Sequence, residues 1–329
     1  MVVSVYVDDL IFIGNSLEML NEFKLSMMKE FEMTDLGELH HFLGIEVQQS
    51  KEGIFMSQES YAKEVVMKFK MEHANPVVTP CITCLKLSKN GEGKSVNSTM
   101  FRSLVDNLMY LIATRPDIMY AVSLVSRFME KPYANHWEAA KRFLRYVIGT
   151  IDYGIFYQAN VPVNLVGYTD SDLAGSIDDN KSTSGYVFSL RSGAISWSSK
   201  KQPIVALSTT EAEYIAGAYA GCQVLWLRGV MESLQHNQST PTTLFCNNSS
   251  TISVAKDPVL HGRTKHIRMR YHFVRELVNR GVIEVKYCKT DDQMADVFTK
   301  ALGGQVFKED VARLGVKRKF GLREALLEN

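Results

Sequence analysis

The chain has 329 residues, 46% hydrophobic and 22% charged, the balance of an ordinary globular protein with room for two or three domains. Its 37 Lys and Arg nearly cancel 36 Asp and Glu, so global charge names no partner and only the distribution of charge can. Five cysteines, at 81, 84, 222, 246 and 288, form no even framework and read as free thiols; the single CxxC at Cys81 and Cys84 lacks the second pair that zinc requires. Residues 1–14 are apolar but contain Asp8 and Asp9 and are too short to span a bilayer. With no secretory leader to read, the expected setting is intracellular, cytoplasmic or nuclear, without a membrane partner.

In chain order, "VVSVYV" and "LIFIG" read as a β-hairpin with the acidic pair at its turn. Asn15 and Glu18 make a capping-box-like start for a helix carrying Leu20, Phe23, Met27, Met28 and Phe31. "HHFLGIEVQQ", "KEG" and "IFMSQ" read as a second hairpin, and residues 58–70 as a helix. Residues 76–98 turn polar and loop-like, which places a boundary there, and residues 99–150 carry helical patterns. Beyond them "VNLVGYTDSD" is a strand ending in acid, and "SGYVFSL" and "AISWSS" form a hairpin. Ser208 and Glu211 cap a long helix, "TTLFC" is a strand, "NSSTISVAK" starts a helix, "TKHIRMRYHFVRELVNRG" is a basic helix and "VIEVKYC" a strand. Thr290 and Gln293 make a second capping box, opening a helix through "DDQMADVFTKAL". That order argues for a mixed α/β sheet over about residues 160–303.

Three acids fall at the margins of apolar surface: Asp170 at a strand end, Glu213 one turn into the capped helix, and Asp296 on the last helix. Carboxylates there are costly unless something positive pairs with them, and a hard divalent cation would do so. From the pattern alone, a metal site and three solvated surface acids both stay open.

Longer stretches carry a family resemblance. "GYTDSD", "KSTSGYVFSLRSGAISWSSKKQPIVALSTTEAEYIA", "RTKHIRMRYHFVRE" and "DQMADVFTKAL" resemble the ribonuclease H domain of copia-type retrotransposon polyproteins. "VYVDDLIFIG", "LGELHHFLGIEV" and "FRSLVDNLMYLIATRPDIMYAVSLVSRFM" resemble the reverse transcriptase and connection segments that precede it, so the likeness covers about residues 1–303. It implies an α/β (α+β) fold: a truncated palm and thumb over 1–95, a helical connection over 96–159, a ribonuclease H-like domain over 160–303, and a tail, 304–329, expected as a surface appendage.

The resemblance implies that Asp8 and Asp9 are two metal-holding acids of a polymerase palm whose third aspartate lies on an earlier strand. Only seven residues precede Asp8, so the expectation is a remnant that does not polymerise. For the nuclease it implies a four-acid set holding Mg²⁺ or Mn²⁺, matched by Asp170, Glu213 and Asp296. The remaining position is Asn247, in "LFCNNSS", where the family has Asp; Leu173 stands where it usually has Trp. Eight basic residues between His261 and Lys289, among them Arg263, Lys265, Arg268 and Arg270, face two acids, and Lys200 and Lys201 follow Trp197. Such a stripe suits a nucleic-acid backbone, here an RNA–DNA hybrid. The expected reaction is metal-dependent hydrolysis of RNA in that hybrid, weak or lost through Asn247. The rivals are a non-catalytic nucleic-acid-binding module and an unselected relic. Other parts of the polyprotein, reverse transcriptase or integrase, are the expected protein partners.

Overall fold

The computed structural model describes residues 1–190, 192–256 and 268–319, the side chains of 268–272 excepted. β1 (Val2–Tyr6) and β2 (Asp9–Ile13) pair antiparallel, with Tyr6 opposite Asp9, as a two-stranded sheet of their own. α1 (Leu17–Glu30) follows, and its cap is Ser16 rather than Asn15: the Ser16 hydroxyl accepts from the Met19 N–H at 3.3 Å. A capping side chain must reach the N–H two or three residues on, and a helix that starts at Leu17 hands that task to Ser16. No residue of α1 is buried.

β3 (His41–Phe42), β4 (Ile45–Gln49) and β5 (Gly53–Ser57) begin a second sheet. α2 (Glu59–Lys68), α3 (Ser98–Leu111), α4 (Met119–Ser126) and α5 (Ala134–Ile148) pack on one another, and β6 (Tyr153–Gln158) returns antiparallel to β5. Residues 76–98 are irregular as expected, yet they are tied down. Cys81 and Leu87 are buried, the Ala134 N–H donates to the Lys94 carbonyl at 2.9 Å, and the Val96 N–H donates to the Pro132 carbonyl at 2.9 Å.

β7 (Val166–Asp172), β8 (Thr183–Ser189) and β9 (Ala194–Lys201) are the three strands the sequence predicts; β8 and β9 form the expected hairpin, and β7 adds to it antiparallel as a meander. α6 (Thr209–Ser233) is capped by Ser208, which accepts from the Glu211 N–H at 3.1 Å, while Glu211 accepts from the Leu207 N–H at 2.9 Å. β10 (Thr242–Cys246), α7 (Ser249–Lys256), α8 (Arg268–Asn279) and β11 (Ile283–Tyr287) complete a sheet ordered β11-β10-β7-β8-β9, with β10 parallel to both its neighbours.

The helix expected from Thr290 onward is instead two 3-10 turns, Thr290–Asp292 and Met294–Phe298. Gln293 between them is buried: its Nε2 donates to the Thr169 carbonyl at 3.0 Å and its Oε1 accepts from the Ala295 N–H at 3.1 Å. A side chain spent on β7 and on its own backbone interrupts the helical ladder. Residues 304–319 are no appendage, the remaining 320–329 of the expected tail lying outside the described residues: α9 (Gly304–Arg313) buries Phe307 and Val311, and β12 (Val316–Arg318) pairs with β6, giving the second sheet the order β12-β6-β5-β4-β3. The apolar pattern Phe307, Val311 and Leu314 is helical spacing that a short window obscures.

Strand alternation sends the side chains of β8 to two different cores. Phe188 packs with Tyr214, Val224, Leu244 and Leu277 on the α6 and α8 side. Val187 joins Phe101, Val125, Phe143 and Leu144 of the helical segment, together with Phe298 and Val316. The two sides of the 159/160 border therefore share one hydrophobic core.

Candidate active site

Asp170 lies near the end of β7, buried. Phe245 pairs with Tyr168 in the parallel ladder, and continuing in step brings Asn247 beside Asp170; the Asn247 amide Nδ2 is 3.5 Å from Asp170 Oδ1. On the other side, β8 places Gly185 opposite Asp170. A Cβ on Gly185 would meet Phe298 Cβ and Thr299 Cγ2, both at 2.8 Å, so the missing side chain is what lets the Met294–Phe298 turn lie against the sheet. From there the Thr299 hydroxyl donates to Asp170 Oδ2.

Glu213 is buried on α6, its Oε1 accepting from the Ser171 N–H at 3.3 Å, with Cys246 Sγ 4.0 Å from Oε2. Asp296, in the 3-10 turn rather than on a helix, is also buried. Its Oδ2 is 2.8 Å from Lys300 Nζ, and its Oδ1 has no hydrogen-bond partner among the described residues. Burial first, and Asp170 second, push the Glu213 carboxyl up to about 9, against the pull of the Ser171 N–H. The same two causes push Asp296 up to about 7, with Lys300 opposing. Asp172, two residues along the strand and so on the face of Asp170, is raised above the usual carboxylate range by burial and then by Asp170. These acids crowd one another in a site that water reaches poorly.

In kind, this donor set fits a hard divalent cation: carboxylate oxygens, one of them buried without a donor. In number it falls short. No three His, Cys, Asp or Glu side chains among the described residues stand close enough to hold one ion as they are, and Asn247 is neutral.

The structure thus brings Asp170, Glu213, Asn247 and Asp296 together and leaves Asp8 and Asp9 apart. Both of those are exposed on the β1–β2 hairpin, and no third acid joins them as a metal-holding group among the described residues. Of the basic candidates, Lys200 is exposed, while Lys201 is 2.9 Å from Asp179. Arg263 and Lys265 lie outside the described residues, and Arg268 and Arg270 are on α8 with side chains outside them. The rest of the stripe is weaker than its count. Arg275 is buried and donates to the Val254 carbonyl at 3.2 Å, Arg280 pairs with Glu276 at 3.3 Å, and Lys286 pairs with Glu284 at 2.9 Å. Sequence reasoning missed Lys300, Thr299 and Asp172. The period-2 spacing of "DSD" would have found Asp172, and the four-residue step from Asp296 would have found Lys300.

A family model described as reverse transcriptase (RNA-dependent DNA polymerase) matches residues 1–83. The chain is 38% identical over 312 residues to the retrovirus-related Pol polyprotein of transposon RE2 of Arabidopsis thaliana, covering 95% of this chain and 21% of that protein. It is 40% identical over 312 residues to the Pol polyprotein of transposon TNT 1-94 of Nicotiana tabacum, covering 92% and 23%. A transposon Ty5-1 protein of Saccharomyces cerevisiae is 33% identical over 219 residues, covering 66% of this chain and 71% of that protein. Among solved structures, a foamy viral protease-reverse transcriptase in complex with double-stranded DNA is similar in fold, with a TM-score of 0.51 at 13% identity, covering 88% of this chain and 46% of that one. The chain spans about a fifth of the length of the two plant polyproteins.

Proposed function

The chain belongs to the copia-type retrotransposon Pol polyproteins, and from that premise we propose that its buried acids are a ribonuclease H site one charge short, acting on the RNA strand of an RNA–DNA hybrid. Asp170, Glu213 and Asp296 are the residues that would hold Mg²⁺ or Mn²⁺. When bound, such ions activate the attacking water and stabilise the leaving oxygen of a phosphodiester. The chain's own groups prepare that set: the Thr299 hydroxyl aims Asp170, and the Ser171 N–H aims Glu213.

One observation carries the reading. Asn247 stands beside Asp170, where the family resemblance has a fourth carboxylate, and it turns an amide N–H toward that acid. A unit charge about 4 Å from a cation is worth several kcal/mol even at an effective dielectric of about 20. A tenfold rate change corresponds to about 1.4 kcal/mol, so the loss slows hydrolysis by ~10²-fold or more. Hybrid binding rests on other groups: exposed Lys200 and the basic segment around Arg263, Lys265, Arg268 and Arg270 would grip phosphates whatever stands at 247. Polymerisation is not part of the proposal, because Asp8 and Asp9 sit exposed on a hairpin without a third acid among the described residues.

The test compares binding and cleavage of a labelled RNA–DNA hybrid by the full chain, with Mg²⁺ and with Mn²⁺. The expected result is binding with slow cleavage, and loss of the residual cleavage in Asp170→Asn with binding intact. Binding without any cleavage, in this chain and in Asn247→Asp alike, would favour a binding module over a weakened nuclease. Absence of binding to the hybrid would contradict both.

A further inference from the structure

Lys300 is a cation that the site's acids share. Its Nζ is 2.8 Å from Asp296 Oδ2, and the Lys300 N–H donates to the Asp296 carbonyl at 3.1 Å, so one short turn tethers ammonium to carboxylate. Asp170 and Glu213 act on its charge as well, and its charge acts in turn on Asp172. The Lys300 side chain is 40% exposed and that of Asp296 is 8% exposed, which puts a partly solvated ammonium at the mouth of a buried acid set. Burial would pull Lys300 down; Asp170 first, then Asp296, outweigh it and hold the ammonium above the ordinary lysine value. The other groups bonded to Asp170 and Glu213 are neutral, the Thr299 hydroxyl and the Asn247 amide on Asp170, and the Ser171 N–H and Cys246 thiol on Glu213, whereas Asp172 also feels the charges of Lys86 and Arg127.

An exposed ion pair four residues apart contributes little, and its loss leaves distant properties unchanged. This pair differs because one partner is buried and three further carboxylates lie within its field, and an uncompensated buried charge is costly. The oxygen that Lys300 occupies belongs to the same carboxylate whose other oxygen has no hydrogen-bond partner among the described residues. Resting on the reading of these acids as metal ligands, we propose that Lys300 is a tethered counter-ion that neutralises Asp296 in the metal-free protein and competes with a divalent cation for it. Two consequences oppose each other in sign. Removing the ammonium destabilises the metal-free fold, and it strengthens metal binding, because a positive charge no longer stands beside the incoming one.

The experiment titrates Mn²⁺ into the full chain, following the spin resonance of free Mn²⁺, with thermal melts in its presence and absence. Lys300→Met and Lys300→Gln remove the charge and Lys300→Arg keeps it; each is made alone and with Asn247→Asp, where binding is tighter. Lys300→Met or Lys300→Gln should melt several degrees lower without metal and bind Mn²⁺ at least ~10-fold more tightly, recovering more of its melting temperature on Mn²⁺ addition. Lys300→Arg should resemble the parent in both. Mn²⁺ affinity in the neutral variants equal to or weaker than the parent's, with binding detected in Asn247→Asp, overturns the proposal and leaves the metal reading standing. If Mn²⁺ binds neither Asn247→Asp nor its Lys300 variants, the metal reading itself fails and takes the proposal with it.

Discussion

Two acidic motifs of similar appearance meet different fates in this chain. "VDD" and "TDSD" both place carboxylates at the end of an apolar strand. Asp8 and Asp9 end in solvent, on a two-stranded sheet that pairs with no other strand among the described residues. Asp170 ends at 2% exposure because three things close over it: the parallel neighbour β10, the helix α6, and a turn seated on a glycine. The difference teaches that an acidic motif becomes a site through what later segments bring to it. Every partner of Asp170 comes from elsewhere in the chain, Asn247 from 77 residues on and Thr299 from 129 residues on.

The sharpest contrast should be in stability. Phe298 is fully buried in the shared core and holds the turn that carries Asp296, so Phe298→Ala should cost about 3–5 kcal/mol. Phe12, which meets Phe23 edge-on with centroids 5.4 Å apart on the hairpin side, is only half-buried, and Phe12→Ala should cost below about 1 kcal/mol. Urea melts of the two variants measure the gap; equal losses would mean that the hairpin is as well anchored as the site.

Next in size is Gly185→Ala. Its new Cβ would push Phe298 and Thr299 off the strand at an overpacking cost of about 1–3 kcal/mol. The same denaturant series reads that cost. Hydrogen exchange localised to residues 294–299 would show that the displacement is in the turn that seats Asp296, whereas exchange confined to β9 would not.

The pH dependence of folding offers a finer probe. Asp310 on α9 is buried, and burial lifts it from 3.8 to about 6 despite Arg313, whose Nη1 is 3.4 Å away. The folded state therefore binds more protons than the unfolded state across that window, so this group's stabilisation is complete below 3.8 and is lost as pH rises to about 6. Asp310→Asn should flatten the loss, a gain of about 3 kcal/mol at most at pH 7, reduced toward about 1 kcal/mol by the Arg313 contact it gives up. Asp8→Asn and Asp9→Asn, both in solvent, should stay within about 0.5 kcal/mol at every pH, the smallest effect expected. Melts across pH 4–8 separate these cases.

Much of this was legible in the sequence where the cause is local. The hairpin of β8 and β9 can be read from two β-rich runs on either side of Ser192 and Gly193, and Ser208 with Glu211 announces α6. The role proposed for Asn247 was legible only against the family pattern, since nothing in "FCNNSS" itself sets this residue apart. Where causes are distant, the reading failed. Gln293 reads as part of a box opening one long helix, but it caps only the short Met294–Phe298 turn, its amide Nε2 donating to Thr169, 124 residues earlier. The segment 304–318 looks peripheral until β12 finds β6. Lys300 looks like a solvated helix lysine until the fold assembles four acids around it.

The central claim is that the site keeps its architecture and lacks one charge. Single-turnover cleavage of a labelled RNA–DNA hybrid by the parent, by Asn247→Asp and by Asn247→Asp with Asp170→Asn tests it directly. The account predicts that Asn247→Asp cleaves at least ~10²-fold faster in Mg²⁺ with unchanged hybrid affinity, and that adding Asp170→Asn abolishes the gain. A parent that already cleaves as fast as Asn247→Asp would contradict it.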